Sequence, residues 1–290
     1  MAASPTVKAH QSRAPEGNLV IGAAVMNSFH VIAGHGETNV YPSVRKIGFS
    51  DLRAALAAGF DDFRAMPSHL LFLAVVYIII GAFLYPSTSG ENAAPLLFPV
   101  LAGYALIGPF VAIGLYEVSR RREQGLPHSW RNAFDVLRSP AIPSILAVGL
   151  LLMIIFLLWL ATAQALYQAQ FGVWAPQSYR HFINQLISTP AGHRLIALGV
   201  SIGFVYAVAT FSIGVISFPL MLDRDVGAAI AVYTSIKAVL ISPVVMAAWG
   251  LIVAASIVIG VATLFVGLAI LTPILGHATW HLYRRVILPD

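Results

Sequence analysis

From Ala238 to Tyr283 the chain reads AVLISPVVMAAWGLIVAASIVIGVATLFVGLAILTPILGHATWHLY, 46 residues without a single Asp, Glu, Lys or Arg. As one helix it would extend nearly 70 Å at 1.5 Å per residue, more than twice the roughly 30 Å of a bilayer's hydrocarbon core. The stretch is therefore expected to divide near Ile257–Thr263 into two spans joined by a very tight turn. Working outward, four further runs are apolar and long enough, or nearly so, to cross a bilayer: Ser68–Tyr85, Ala94–Val118, Ala141–Leu166 and Leu195–Leu222. Six spans result.

Composition points the same way. Of 290 residues, 58% are hydrophobic and 10% charged, against roughly 45–50% and 25% in soluble domains. So few ionisable groups could not cover the surface of a soluble protein of this size. A soluble enzyme or a nucleic-acid binder is thus disfavoured, and the net charge of +5 reads as the positive bias of cytoplasmic loops. The chain has no cysteine, so disulfides, thiolate nucleophiles and cysteine-ligated metals are absent. No secretory signal is expected, because Asn27, Ser28 and His30 interrupt the mildly apolar stretch Leu19–Ile32.

Charge placement tests the span count separately. With six spans and both termini inside, the cytoplasmic segments hold Lys8, Arg13, Arg45, Lys46, Arg53, Arg64, Arg120, Arg121, Arg122, Arg131, Arg138, Arg224, Lys237, Arg284 and Arg285, leaving only Arg180 and Arg194 outside. Five spans would export the Arg284–Arg285 pair. Residues 1–45 read as a partly disordered cytoplasmic tail and 46–290 as a six-helix transmembrane domain, with an external loop at 167–193.

Three X-Pro steps precede spans one, three and five: Met66-Pro67, Ser139-Pro140 and Ser242-Pro243. Each follows a helical-looking stretch, Asp51–Ala65, Ser129–Arg138 and Val226–Leu240. Leu52, Leu56, Phe60 and Phe63 form an apolar stripe in the first, and Trp130, Phe134 and Leu137 in the second. The residue before proline is pushed out of helical geometry, so a helix lying on the cytoplasmic surface can end there and the chain can turn into the bilayer. The expected fold is an all-α transmembrane bundle of three hairpins, each preceded by a cytoplasmic amphipathic helix, with a pseudo-threefold repeat.

Residues able to carry chemistry are few. His277 and His281, four apart, lie on one helix face, a spacing that suits a shared metal or a haem edge; the plainer reading is an interfacial pair beside Trp280 and Tyr283. Glu117, Asp223, Asp225 and His281 fall at span ends expected on one side, where acids and a histidine could form a polar rim that gates an ion or binds a cation. Salt bridges to the neighbouring arginines are the simpler alternative. No ionisable residue is clearly central in a span, which weighs against a pump. No catalytic residue and no particular cofactor is implied.

Several stretches carry a family resemblance: Asp51–Gly59 running to Met66-Pro67, Gly108-Pro109 leading to Tyr116–Arg121, Ser217–Val226, Trp249-Gly250-Leu251 and Leu275–Arg284. Across roughly 45–287 the chain resembles the bacterial predicted integral membrane proteins of the domain-of-unknown-function family 2189, some of which carry the label of a cytochrome c oxidase subunit. The resemblance implies a bacterial inner membrane protein. It does not imply a catalytic oxidase subunit, which would need about twelve spans and several mid-membrane histidines. What remains is a non-catalytic accessory, scaffold or assembly component of a membrane complex, respiratory by that label, with lipid and other membrane subunits as partners. A small transporter or channel, or a haem- or metal-binding protein, are the alternatives.

Overall fold

The computed structural model describes residue 31 and residues 41–66, 112–127, 129–173, 179–263 and 266–289, and these are helical throughout apart from short connections. In order they form α1 (Phe49–Ala65), α2 (residues 112–123), a 3-10 helix (Trp130–Arg138), α3 (Ile142–Phe171), α4 (Tyr179–Ser188), α5 (Pro190–Gly214), α6 (Ser217–Asp223), α7 (Gly227–Ile241), α8 (Pro243–Ala262) and α9 (Val266–Val286). Three helical stretches are long and apolar enough to cross a membrane: Ile142–Phe171, Pro190–Asp223 and Pro243–Gly260. They coincide with the expected third, fourth and fifth spans. The first expected span, most of the second and most of the N-terminal tail lie outside the described residues.

All three pre-proline positions end a helix. Met66 and Ser139 take extended backbone and Ser242 is non-helical, capping α1, the 3-10 helix and α7. The cause is steric, since the following proline ring crowds a helical residue before it. The element at 130–138 differs from expectation in winding as a 3-10 helix rather than an α-helix. With three residues per turn, every third side chain shares a ridge. Ala133 and Val136 face inward, Ala133 close against Gly114 of α2. Arg131, Phe134 and Leu137 form the outer ridge, with Phe134 53% and Leu137 65% exposed.

Packing also splits the stripe expected on α1. Its buried face is Leu52, Ala55, Gly59 and Asp62, while Phe60 points outward beneath the Arg64 guanidinium. α7 follows the same rule, burying Gly227, Ile230, Ala231, Thr234, Ser235 and Ala238 and exposing Tyr233 and Leu240. Small and polar residues turn inward because they let helix backbones approach closely, as in membrane bundles generally. Phe60, Tyr233 and Leu240 are left on the outside.

The stretch that decides the fold does turn back on itself. α8 stops at Ala262, the Thr263 side chain accepts a hydrogen bond from the Gly267 amide at 3.0 Å, and α9 begins at Val266. Gly260 permits the reversal, since a Cβ there would meet Leu268 at 2.3 Å. The far ends of both helices are then bridged by residues 43–47. The Ile47 amide donates to Ser242 Oγ (3.0 Å) just before α8, the Arg45 amide to the Val286 carbonyl (3.0 Å) at the end of α9, and Val44 pairs antiparallel with Ile287. One short segment touching both ends requires α8 and α9 to run antiparallel.

α5 and α6 are one apolar stretch broken at 215–216. Pro219 lacks an amide hydrogen, and its ring would crowd the carbonyl four residues back, so the helix cannot continue through it undisturbed. The break is stabilised by the Ile216 amide donating to buried Ser235 Oγ at 3.1 Å and by Ser217 Oγ donating to the Ile213 carbonyl. α6 is buried from Ser217 to Leu222 and delivers Asp223 to the end of the bundle where α9 finishes. Between α3, α5 and α8 lies an apolar cavity of about 810 Å³ whose lining includes Phe156, Trp159, Tyr206 and Val253.

Candidate functional site

The last three turns of α9, Gly276–Val286, tie the described elements together. Two small residues let the helix sit close to its neighbours. Ala278 lies against Gly59 of α1, where a Cβ would come within 2.5 Å of the Ala278 amide nitrogen, and Gly276 faces Leu115 of α2. The polar side chains that follow then reach separate partners.

Asp62, on the buried face of α1 and 3% exposed, collects three donors. Its Oδ2 accepts from Ser119 Oγ of α2 at 2.6 Å and faces His281 Nε2 of α9 at 2.8 Å, while Oδ1 pairs with Arg122 Nη1. Burial pushes this carboxyl up, but the His281 and Ser119 hydrogen bonds, the His281 charge and Arg122 outweigh it and hold it at about 2. Behind Ser119 stands His277, 0% exposed, with Nδ1 2.8 Å from the same Oγ. The order of groups is therefore histidine, serine, aspartate, histidine. A nucleophilic triad needs its histidine between serine and acid, with the hydroxyl open to substrate; here Ser119 is the middle member and is fully buried. The arrangement can share protons and hold three helices together, but it cannot present a nucleophile.

His277 and His281 thus share a helix face as expected, yet each ring engages its own partner. Among the described residues no group of three or more His, Asp or Glu is arranged to hold a metal ion.

The acids of the expected rim lie nearby. Glu117, almost fully buried, accepts from Arg120 (2.8 Å) and Arg121 (2.9 Å), and Arg121 reaches on to Asp135 at 3.0 Å. Asp223 accepts from Tyr283 Oη (2.5 Å) and Arg284 (3.3 Å), while Glu123 accepts from Trp280 Nε1 (2.9 Å) and Arg284 (3.0 Å). A cavity of about 370 Å³ brings together Glu117, Asp223 and Asp225 with Arg120, Arg121 and Arg138. His281 is not among its lining residues, having been drawn into the Asp62 cluster instead. An ion-paired layer thus joins α1, α2, the 3-10 helix and α9 to the end of the membrane-length stretch Pro190–Asp223.

Residues 97–223 match the family model DUF2189, described as predicted integral membrane protein. No curated protein and no solved structure matches the chain. The DUF2189 match takes in Glu117, Ser119, the Arg120–Arg122 run and Asp223, which are the α2 and α6 contributions to this layer. Asp62, His277 and His281 fall outside the DUF2189 region. The chain is an integral membrane protein with several apolar helices.

Sequence reading missed Asp62, Ser119, Arg122 and Glu123 as members of the site. One signal was present for Asp62. Leu52, Ala55, Gly59 and Asp62 recur at three- and four-residue steps, and a carboxylate that continues a stripe of small residues will be buried if the stripe packs. The partners were not signalled, because they come from α2 and α9, 57 and 219 residues away.

Proposed function

We propose that this protein is a non-catalytic, multi-pass component of a bacterial inner membrane that serves as an accessory, scaffold or assembly subunit of a membrane complex. The observation that carries the reading is the outward character of its apolar helices. Of the most apolar windows in Ile142–Phe171 and Pro190–Asp223, 11% and 0% are buried inside the protein. Such surface suits lipid and the helices of partner subunits. The ionisable groups of the end layer pair with one another, and the larger cavity is apolar, so neither offers an obvious reaction or ion path. The arginine-rich end is read as cytoplasmic, with both termini on that side.

The charged cavity containing Glu117, Asp223 and Asp225 favours a second reading, a small transporter or channel. Affinity purification from native membranes in mild detergent, with identification of co-purifying subunits, separates the two. Recovery of defined membrane subunits in fixed ratio supports the accessory role. Recovery of the protein alone, able to move a solute across liposomes, would replace it with the transporter. The third reading, haem or metal held by His277 and His281, requires a Soret band or bound metal in the same preparation.

A further inference from the structure

Helix α4 (Tyr179–Ser188) lies between α3 and α5 in the chain, and these neighbours fix its depth. Arg138 and Ser139, just before α3, line the charged cavity beside Asp223, so α3 sets out from the ion-paired layer. Its 30 residues then carry the chain about 45 Å at 1.5 Å per residue, the full thickness of a bilayer with its headgroups, roughly 40–45 Å. Tyr167 and Phe171, at the far end of α3, are thereby set at the opposite interface. Phe182 of α4 packs there, its ring centroid 5.9 Å from that of Tyr167 and 6.3 Å from that of Phe171. The other end of α4 is tied to α5. Thr189 Oγ1 donates to the Gln185 carbonyl at 2.7 Å and accepts from the Gly192 amide at 3.0 Å, and a Cβ at Gly192 would collide with the Leu186 carbonyl.

At about 100° per residue the circumference of α4 divides into three faces. Phe182, Gln185 and Leu186 are half-buried and turn toward the protein. Ile183 and Ile187, 42% and 60% exposed, make a bare apolar row, and His181, Asn184 and Ser188 make an exposed polar one. We infer that α4 is an interfacial helix in the leaflet opposite the ion-paired layer, with Ile183 and Ile187 resting in the acyl boundary and His181, Asn184 and Ser188 among the headgroups. This rests on the membrane reading above and adds a second, shallow contact with lipid. The partner is the bilayer because the apolar row sits at headgroup depth, and because α5, to which α4 is tied, turns Ile196, Leu198 and Val200 outward as well. Residues 136–222 contain no Asp or Glu, so the segment brings no carboxylate against lipid phosphates.

The chain has no cysteine, so single thiols report position directly. Ile183→Cys, Ile187→Cys, Asn184→Cys and Ser188→Cys, all at exposed sites where the change disturbs little packing, are labelled in the full-length protein with a thiol-reactive fluorophore and placed in phosphatidylcholine nanodiscs. Leu158→Cys, exposed midway along α3, is the reference for membrane insertion. Quenching is read with brominated acyl chains and with soluble iodide. The Ile183 and Ile187 labels should be quenched by brominated chains about two-fold more than the Asn184 and Ser188 labels, with iodide giving the reverse order and leaving the Leu158 label untouched. Iodide reaching all four α4 labels equally, with Leu158 still shielded, would overturn the interfacial helix and leave the membrane reading intact. Ile183 and Ile187 labels screened from both quenchers would overturn it in favour of a protein covering that face. A Leu158 label open to iodide would overturn the membrane reading and the interfacial helix together.

Discussion

The carboxylate of Asp62 and Nε2 of His281 stand 2.8 Å apart although 219 residues separate them. The contact joins the first described helix to the last, and Ser119 and Arg122 bring α2 into it. Replacing Asp62 by Asn removes the negative charge that faces Arg122 and His281. Because both partners are partly solvated, the expected loss is about 2–3 kcal/mol rather than the larger cost of a fully buried pair. Chemical unfolding in mixed micelles measures it, and a variant as stable as the parent would mean that the cluster does not hold α1 in place.

The same carboxyl gives an acid dependence of known sign. Asp62 is held at about 2 in the folded protein against an ordinary 3.8, so between those values the unfolded chain binds more protons and stability rises with pH. About 2 kcal/mol is fully present above pH 3.8 and is lost as pH falls toward 2. The groups facing this carboxyl are His281 from α9 and Ser119 and Arg122 from α2, with His277 behind Ser119. Stability measured from pH 5 down to pH 2 should fall less steeply in Asp62→Asn than in the parent; parallel curves would refute the assignment.

Gly59 sets the spacing of α1 and α9. A methyl group there would lie 2.5 Å from the Ala278 amide nitrogen, a backbone atom that cannot turn aside. Gly59→Ala should cost about 1–3 kcal/mol through forced separation of the helices, and Gly59→Val more. Gly125→Ala makes a useful contrast. Gly125 has a φ of 68° with open space around it, so its substitution should cost only about 1 kcal/mol of backbone strain. The same unfolding assay ranks the pair, and the reverse order would count against close α1–α9 packing.

Much of the helix framework could be read in the sequence, while the cluster largely could not. Helix ends at Met66, Ser139 and Ser242 follow from proline sterics, a local cause that needs no knowledge of the fold. The reversal near Thr263 follows from the length of the uncharged stretch. By contrast, the close approach of Ala133 to Gly114 and the capture of the Ile216 amide by Ser235, nineteen residues on, at the break that Pro219 imposes are contacts between separate segments. Asp62 belongs with these. Its burial is tolerable only because Ser119, Arg122 and His281 converge on it, and convergence of remote segments leaves no periodic trace.

Ser235→Ala tests the break directly. The Ile216 amide would lose its acceptor in a buried place, at a cost of about 1–3 kcal/mol, whereas Ser235→Thr retains the hydroxyl and should recover part of it. Equal stability of the Ala and Thr variants would show that the amide finds another acceptor.

Val44 and Ile287 offer a covalent check on chain direction. Residues opposed in an antiparallel bridge have Cα atoms roughly 4.5–5.5 Å apart, within disulfide reach. In this cysteine-free chain, Val44→Cys with Ile287→Cys should oxidise to an intramolecular disulfide, visible as a shift in non-reducing electrophoresis. Failure to form it under an oxidant that closes a control pair would remove the bridge.

That bridge also bears on the timing of biosynthesis. Residue 44 leaves the ribosome more than two hundred residues ahead of its partner, so α1, with Asp62 answered only by Ser119 and Arg122 of α2, must wait until the closing helix has been delivered. A chain halted before α9 would hold an aspartate without its histidine and a helix without its dock, a state that quality-control proteases can tell from the finished protein.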